Sequence, residues 1–244
     1  MNGLLMPPGF PTTAFDALYQ YATLSRGPYA EEFLGAWNAI SYRYRALLDY
    51  SDGFEASIKR HGPAPEADIR FKQEKDLFGF FSNAFSVFEA YFFGMYALGA
   101  ELSPASFPFT TSQDRQRVTI NSTIAGYKKT WPDHPIIMTF EELSNDPVYR
   151  GLRDARNVLT HRTAPGRTIY ADLSNDGPPT ADWKLLNSPL DEHTTRARRE
   201  GVTRMLWTLT AASQSFVETR GSRNEEEFVE GAGTASQSPE CLRL

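Results

Sequence analysis

Apolar residues recur along most of this chain at three- and four-residue steps, the period of a helix that buries one face. From Tyr29 to His61 the stripe is Phe33, Trp37, Ile40, Tyr44, Leu47 and Leu48, and Gly53 is positioned to kink or end the helix it predicts. The turn-rich GPAPEAD follows, with Pro65 suited to a first helical turn, and the pattern resumes from Glu66 to Ala100. Here Leu77, Phe81, Phe85, Phe88, Phe92 and Met95 form the strongest stripe of the chain. A long segment apolar nearly all round predicts the central helix of a bundle.

Shorter elements flank this pair. TAFDALYQYATL predicts a first helix with Thr13 as N-cap, halted by Gly27-Pro28. A cap at Thr111 or Ser112, with Asp114 close behind, opens a fourth helix from about Gln113 to Trp131. From Thr139 a short helix runs to a break at Asp146-Pro147, and the next helix carries RDARNVLTHRT and stops at Pro165-Gly166. RTIYADLS and DWKLL, around the turn-rich NDGPPT, predict a small β-hairpin excursion near 167–187. A final helix from about Asp191 to Thr219 has Val202, Met205, Leu206, Leu209, Ala212, Phe216 and Val217 on its apolar side. The fold class is therefore all-α, a helical bundle with a small hairpin, organised as one domain over 1–220. The polar, Gly/Ser-rich segment 221–244 lacks core material and is expected to be a disordered tail.

Composition narrows the function. The 244 residues are 41% hydrophobic, enough for a substantial core, and the formal charge of -5 argues against nucleic-acid binding through a global basic field. Any such contact needs a local patch. The single cysteine, Cys241, excludes a disulfide framework within the chain and suits a reducing, cytoplasmic setting; the first twenty residues carry no basic leader. Leu77 to Ala100 is long enough to span a bilayer, but Ser82, Asn83, Ser86 and Glu89 near its middle favour a core helix. His61, His134, His161 and His193 are isolated from other ligand types, and neither a phosphate-binding glycine loop nor a nucleophile elbow occurs. No metal or cofactor is expected.

The chemistry concentrates in Arg156-Asn157-Val158-Leu159-Thr160-His161. Asn157 and His161, four apart, share a helix face, whereas Arg156 and His161 are five apart, about 140° around the axis. Three arrangements bring the latter pair together: the arginine wraps round, the helix distorts near His161, or a second chain supplies the partner. A plainer role also exists, since Arg and His near a helix C-terminus complement the macrodipole and THRTAPG is a good stop signal.

Arg156 to His161, with the polar Asn157 directly after the arginine, resembles the Arg-x4-His motif of the HEPN superfamily. The resemblance implies an all-α bundle that dimerises so that two motifs line one cleft, and in many members a metal-independent endoribonuclease of toxin or phage-defence type. A homodimer, an RNA substrate and a possible antitoxin or partner protein follow from it as expectations. One toxin subfamily carries an adenylylated tyrosine two residues after the histidine; Thr163 stands there in this chain. RNA brings its own nucleophile, the 2′-hydroxyl, so cleavage needs proton management and a cation on the phosphorane-like transition state. His161, Arg156 and Asn157 are the candidate catalytic residues.

Thr160, Arg153, Arg162, Glu89 and Asn83 are candidate substrate contacts. Glu89, the lone charge of the aromatic helix, reaches the cleft if Arg156 or Arg153 pairs with it. Arg150, Arg153, Arg156, Arg162 and Arg167 against Asp154, together with RARR at Arg196 to Arg199, form a basic set able to track an RNA backbone. The alternative of a different class is a non-catalytic HEPN-like dimer that binds nucleotide, RNA or a protein partner. A small-molecule enzyme would instead need polar groups converging around Glu89 and Asn83.

Overall fold

A computed structural model describes residues 6–161, 163–170 and 180–233, with side chains for all of these except 161 and 221–233. In chain order the elements are α1 (Thr12–Ser25), α2 (Ala30–His61), α3 (Ala67–Leu102), α4 (Ser112–Gln116), α5 (Ile120–Thr130), α6 (Ile136–Asn145), α7 (Pro147–His161), β1 (Arg167–Tyr170), β2 (Thr180–Leu185), β3 (Ser188–Pro189) and α8 (Thr194–Gly233). The fold is all-α with a small three-stranded antiparallel sheet in the order β1-β2-β3.

Helices α2 and α3 make a long antiparallel hairpin. A Cβ built on Gly53 meets Asp76, one on Gly79 meets Tyr50, and one on Gly94 meets Ala36 and Trp37, so contacts climb one helix as they descend the other. Gly53 does not end α2, one of the two roles its position suggested; it admits the Asp76 carboxylate, since a Cβ there would lie 2.9 Å from Oδ2. The predicted stripes are buried: Phe33, Trp37, Ile40, Tyr44 and Leu47 on α2, and Leu77, Phe81, Phe85, Phe88, Phe92 and Met95 on α3. Among the described residues no helix is long and apolar enough to cross a membrane. The aromatic stretch of α3 is core.

Two buried phenols of this core are hydrogen-bonded to backbone carbonyls. The Tyr91 hydroxyl donates to the Leu209 carbonyl of α8 at 3.0 Å and the Tyr127 hydroxyl to that of Met95 at 2.9 Å. Burial pushes both phenols well above their ordinary range, so they act as neutral donors. Phe107, between α3 and α4, inserts its ring between Gly99 and Gly126; a Cβ on Gly126 would come within 2.4 Å of it. Gly126→Ala is therefore expected to destabilise the fold by about 1–3 kcal/mol through overpacking, read as a lower urea midpoint; an unchanged midpoint would show that the ring can move aside.

Local boundaries corrected several expectations. Thr13 does not cap α1, which starts at Thr12 with Pro11 in the cap position. The single helix expected from Gln113 to Trp131 is two. Thr111 caps α4 reciprocally with Asp114, and Thr119 opens α5 by the same exchange with Ser122. The break at Asp146-Pro147 lies where the sequence indicated, with the Asp146 carboxylate accepting from the Val148 amide at 2.7 Å.

The hairpin pairs Arg167 with Trp183 through Tyr170 with Thr180, and residues 171–179 lie outside the described set. Leu186 and Asn187, both at positive φ, turn the chain into β3. Trp183 docks the sheet on Phe54 of α2, ring centroids 5.9 Å apart. Helix α8 continues to Gly233, past the end expected near Thr219. Residues 234–244, with Cys241 and the rest of the expected tail, are outside the described residues.

Candidate functional site

Helix α7 packs on α3 through Tyr149, Leu152 and Ala155, a three-residue repeat that leaves Arg156 at the edge of the interface. Across it, Phe85 and Glu89 are four apart on α3 and present one face. The Arg156 guanidinium lies over the Phe85 ring at 5.7 Å, pairs with Glu89 Oε1 at 3.5 Å, and donates to Asn157 Oδ1 at 3.3 Å. Glu89 also accepts from the Ser86 hydroxyl at 2.8 Å. The Glu89 and Arg156 side chains are 46% and 25% exposed, so the pair contributes under about 1 kcal/mol and chiefly orients the guanidinium. The sequence-derived partnership of Glu89 with Arg156 is present, and Glu89 is at the surface.

Helix α7 stays α-helical through His161, where the Thr163 amide closes it on the Val158 carbonyl at 3.1 Å. That 6→1 bond is the stop expected of THRTAPG. The helix thus reaches position 161 without a break. The guanidinium, committed to α3, does not wrap towards the helix end. The His161 side chain and all of Arg162 lie outside the described residues. Thr160 is exposed.

Beside the Arg156–Glu89 pair opens a cavity of about 710 Å³ between α3, the start of α5 and the α6–α7 corner. Phe85, Phe88, Phe92, Phe93 and Tyr149 supply apolar walls; Glu89, Asn121, Asn145, Arg150 and Arg153 supply polar ones. Arg150 is braced by the Ser144 carbonyl at 3.2 Å and by the Asn145 side chain. Arg153 Nε donates to Asp154 Oδ1 at 2.9 Å. Burial pushes the Tyr149 phenol up to about 12, with Arg153 opposing the rise and Glu89 adding to it, so it is a neutral donor near pH 7.

Of the predicted residues, the fold brings Glu89, Arg153, Arg156 and Asn157 to this edge. Asn83 it does not: the amide donates to the Gly79 carbonyl of its own helix at 2.8 Å. The broader basic surface is also reduced. The Arg167 side chain is 2% exposed, stacked on Trp183 at 3.6 Å and donating to Gln73 Oε1 at 2.8 Å. Arg196 and Arg199 are spent on Glu55 and Asp52 of α2, and Arg198 donates to the Thr194 carbonyl. Sequence reasoning missed the wall supplied by Thr119, Asn121, Ser144 and Asn145, residues whose types also mark ordinary loops and caps. Arg150, Arg153 and Arg156, at steps of three along one helix, were the available signal.

Among the described residues, no three His, Cys, Asp or Glu side chains gather as metal ligands would. Fold and site together define an α-helical bundle carrying a mixed aromatic and cationic cavity next to an arginine–carboxylate pair. No family model, curated protein or solved structure matches the chain.

Proposed function

We propose that this chain is a HEPN-like, metal-independent endoribonuclease, of toxin or phage-defence type, that works as a homodimer. The observation carrying the reading is the position of Arg156: oriented by Glu89, Asn157 and Phe85 and partly open to solvent, about 140° around the axis of α7 from position 161. A second copy then contributes the histidine. In this scheme the RNA 2′-hydroxyl attacks the adjacent phosphorus, forming the 2′-O–P bond as the P–O5′ bond breaks. His161 takes the hydroxyl proton and passes it to the leaving 5′-oxygen, while Arg156 stabilises the charged phosphorane. The products are a 2′,3′-cyclic phosphate and a 5′-hydroxyl.

The test is cleavage of a labelled RNA in EDTA by the wild-type chain and by His161→Ala, with the product ends identified. Cleavage by wild type alone, leaving cyclic phosphate ends, supports the reading; equal cleavage by both proteins sinks it. The three internal contacts of Arg156 also favour a second reading, a non-catalytic dimer that binds nucleotide, RNA or a protein partner. That reading gains if RNA is bound and never cut.

A further inference from the structure

The cavity beside Arg156 has a composition that the cleavage chemistry leaves unused. Its floor is apolar and aromatic, its rim holds two arginines, and the exposed Asn121 and Asn145 line it from α5 and α6, the Asn145 amide donating to the Glu141 carbonyl and accepting from Arg150. Its volume, about 710 Å³, lies inside the usual range for sites that enclose a small organic ligand. Among the described residues Glu89 is the only carboxylate on the wall, and it already holds Ser86 and Arg156, so Arg150 and Arg153, the latter beside Asp154, leave the rim cationic on a chain whose net charge is -5. Arg150 is fixed by the end of α6 and so presents an oriented guanidinium. An apolar slot, the Asn121 amide and two cations are the complements of a flat heteroaromatic ring, its hydrogen-bonding edge and a phosphate, respectively.

From this lining we infer that the cavity is the subsite for one unpaired nucleotide next to the cleaved bond, its base among Phe85, Phe93 and Tyr149 and its phosphate between Arg150 and Arg153. The inference rests on the ribonuclease reading and deepens it. Arg153 precedes Arg156 by about one helical turn, so a phosphate on the first is neighbour to a phosphate on the second. Phe85 and Glu89 belong to both the cavity and the Arg156 cluster. A paired base cannot enter, because its faces and edge are occupied in the duplex. The enzyme would therefore cut single-stranded segments.

Equilibrium binding tests this without relying on cleavage. The probe is a short single-stranded oligonucleotide of 2′-deoxy sugars, which carries no nucleophile; its duplex and the four nucleoside 5′-monophosphates are the comparators. Wild type should bind the single strand at least about tenfold more tightly than the duplex. Arg150→Ala with Arg153→Ala should weaken it at least about tenfold, the scale of two charge-assisted contacts. Asn121→Trp, which fills the cavity from an exposed rim position, should do the same, whereas Arg60→Ala at the exposed end of α2 should not. Wild-type binding by both cavity variants overturns the inference, and if RNA cleavage persists in them the ribonuclease reading stands alone. Cavity-dependent binding of the single strand with no cleavage keeps the subsite and removes the nuclease. Cavity-dependent binding of a monophosphate that the single strand fails to displace assigns the cavity to a free nucleotide and overturns the RNA subsite.

Discussion

Arg156→Ala and His161→Ala proteins, each inert alone, are expected to recover RNA cleavage when refolded together. The two residues stand about 140° apart on α7, which remains α-helical through His161, and the Arg156 guanidinium is held on the α3 side by Glu89 and Phe85. Where a site unites Arg156 of one copy with His161 of another, the Arg156→Ala homodimer lacks the cation at both sites and the His161→Ala homodimer lacks the imidazole at both. A heterodimer of the two variants has one site with both residues lost and one with both intact. Random assortment makes half of the dimers mixed, so recovery should reach about a quarter of wild-type activity for a symmetric pair. Circular dichroism of each variant should be unchanged, because the Arg156 pair is solvent-exposed and contributes little stability. An inert mixture beside an active wild type would locate the site within one chain and sink the arrangement across two.

Trp37→Ala is expected to cost about 3–5 kcal/mol of folding stability, a large part of the roughly 5–15 kcal/mol that keeps a domain folded. Trp37 is 0% exposed and joins three helices. Its indole stacks on Phe33 at 4.4 Å and on Phe15 of α1 at 5.5 Å, touches Tyr91 of α3 at 5.8 Å, and donates to the Phe15 carbonyl at 3.1 Å. Alanine removes the rings' contacts and leaves a void where α1 meets the α2–α3 hairpin. Trp37→Phe keeps most of the apolar volume and forfeits mainly the hydrogen bond, so it should cost clearly less. Urea unfolding of the three proteins measures this. Similar midpoints for Trp37→Ala and wild type would mean that α1 closes over the void and that the indole does not organise this corner.

The sequence was most legible where local pattern and global burial agree. The stripes on α2, α3 and α8 were read correctly because a helix in a bundle needs one face apolar, and that need is written at every third or fourth position. Thr111 with Asp114 and Asp146-Pro147 were readable as cap and break because their bonds are local. Thr119 escaped notice since its capping partner is Ser122, which lacks the acidic signature of such boxes. Gly53 does not end its helix, and its role was not legible because a glycine's purpose depends on what approaches it, and Asp76 comes from another helix.

The same division runs through the site. The motif, the fold class and the core of this protein were determined by residue types and their spacing, quantities carried along one chain. Which arginines remain available was decided only in three dimensions: Arg167 vanished under Trp183, Arg196 and Arg199 went to carboxylates on α2, and Arg150 and Arg153 stayed at a cavity rim. A guanidinium carries the same charge in each place. Its neighbours come from distant parts of the chain, and charge pairing and desolvation act through space, so tertiary packing alone could sort structural cations from those left to meet a ligand.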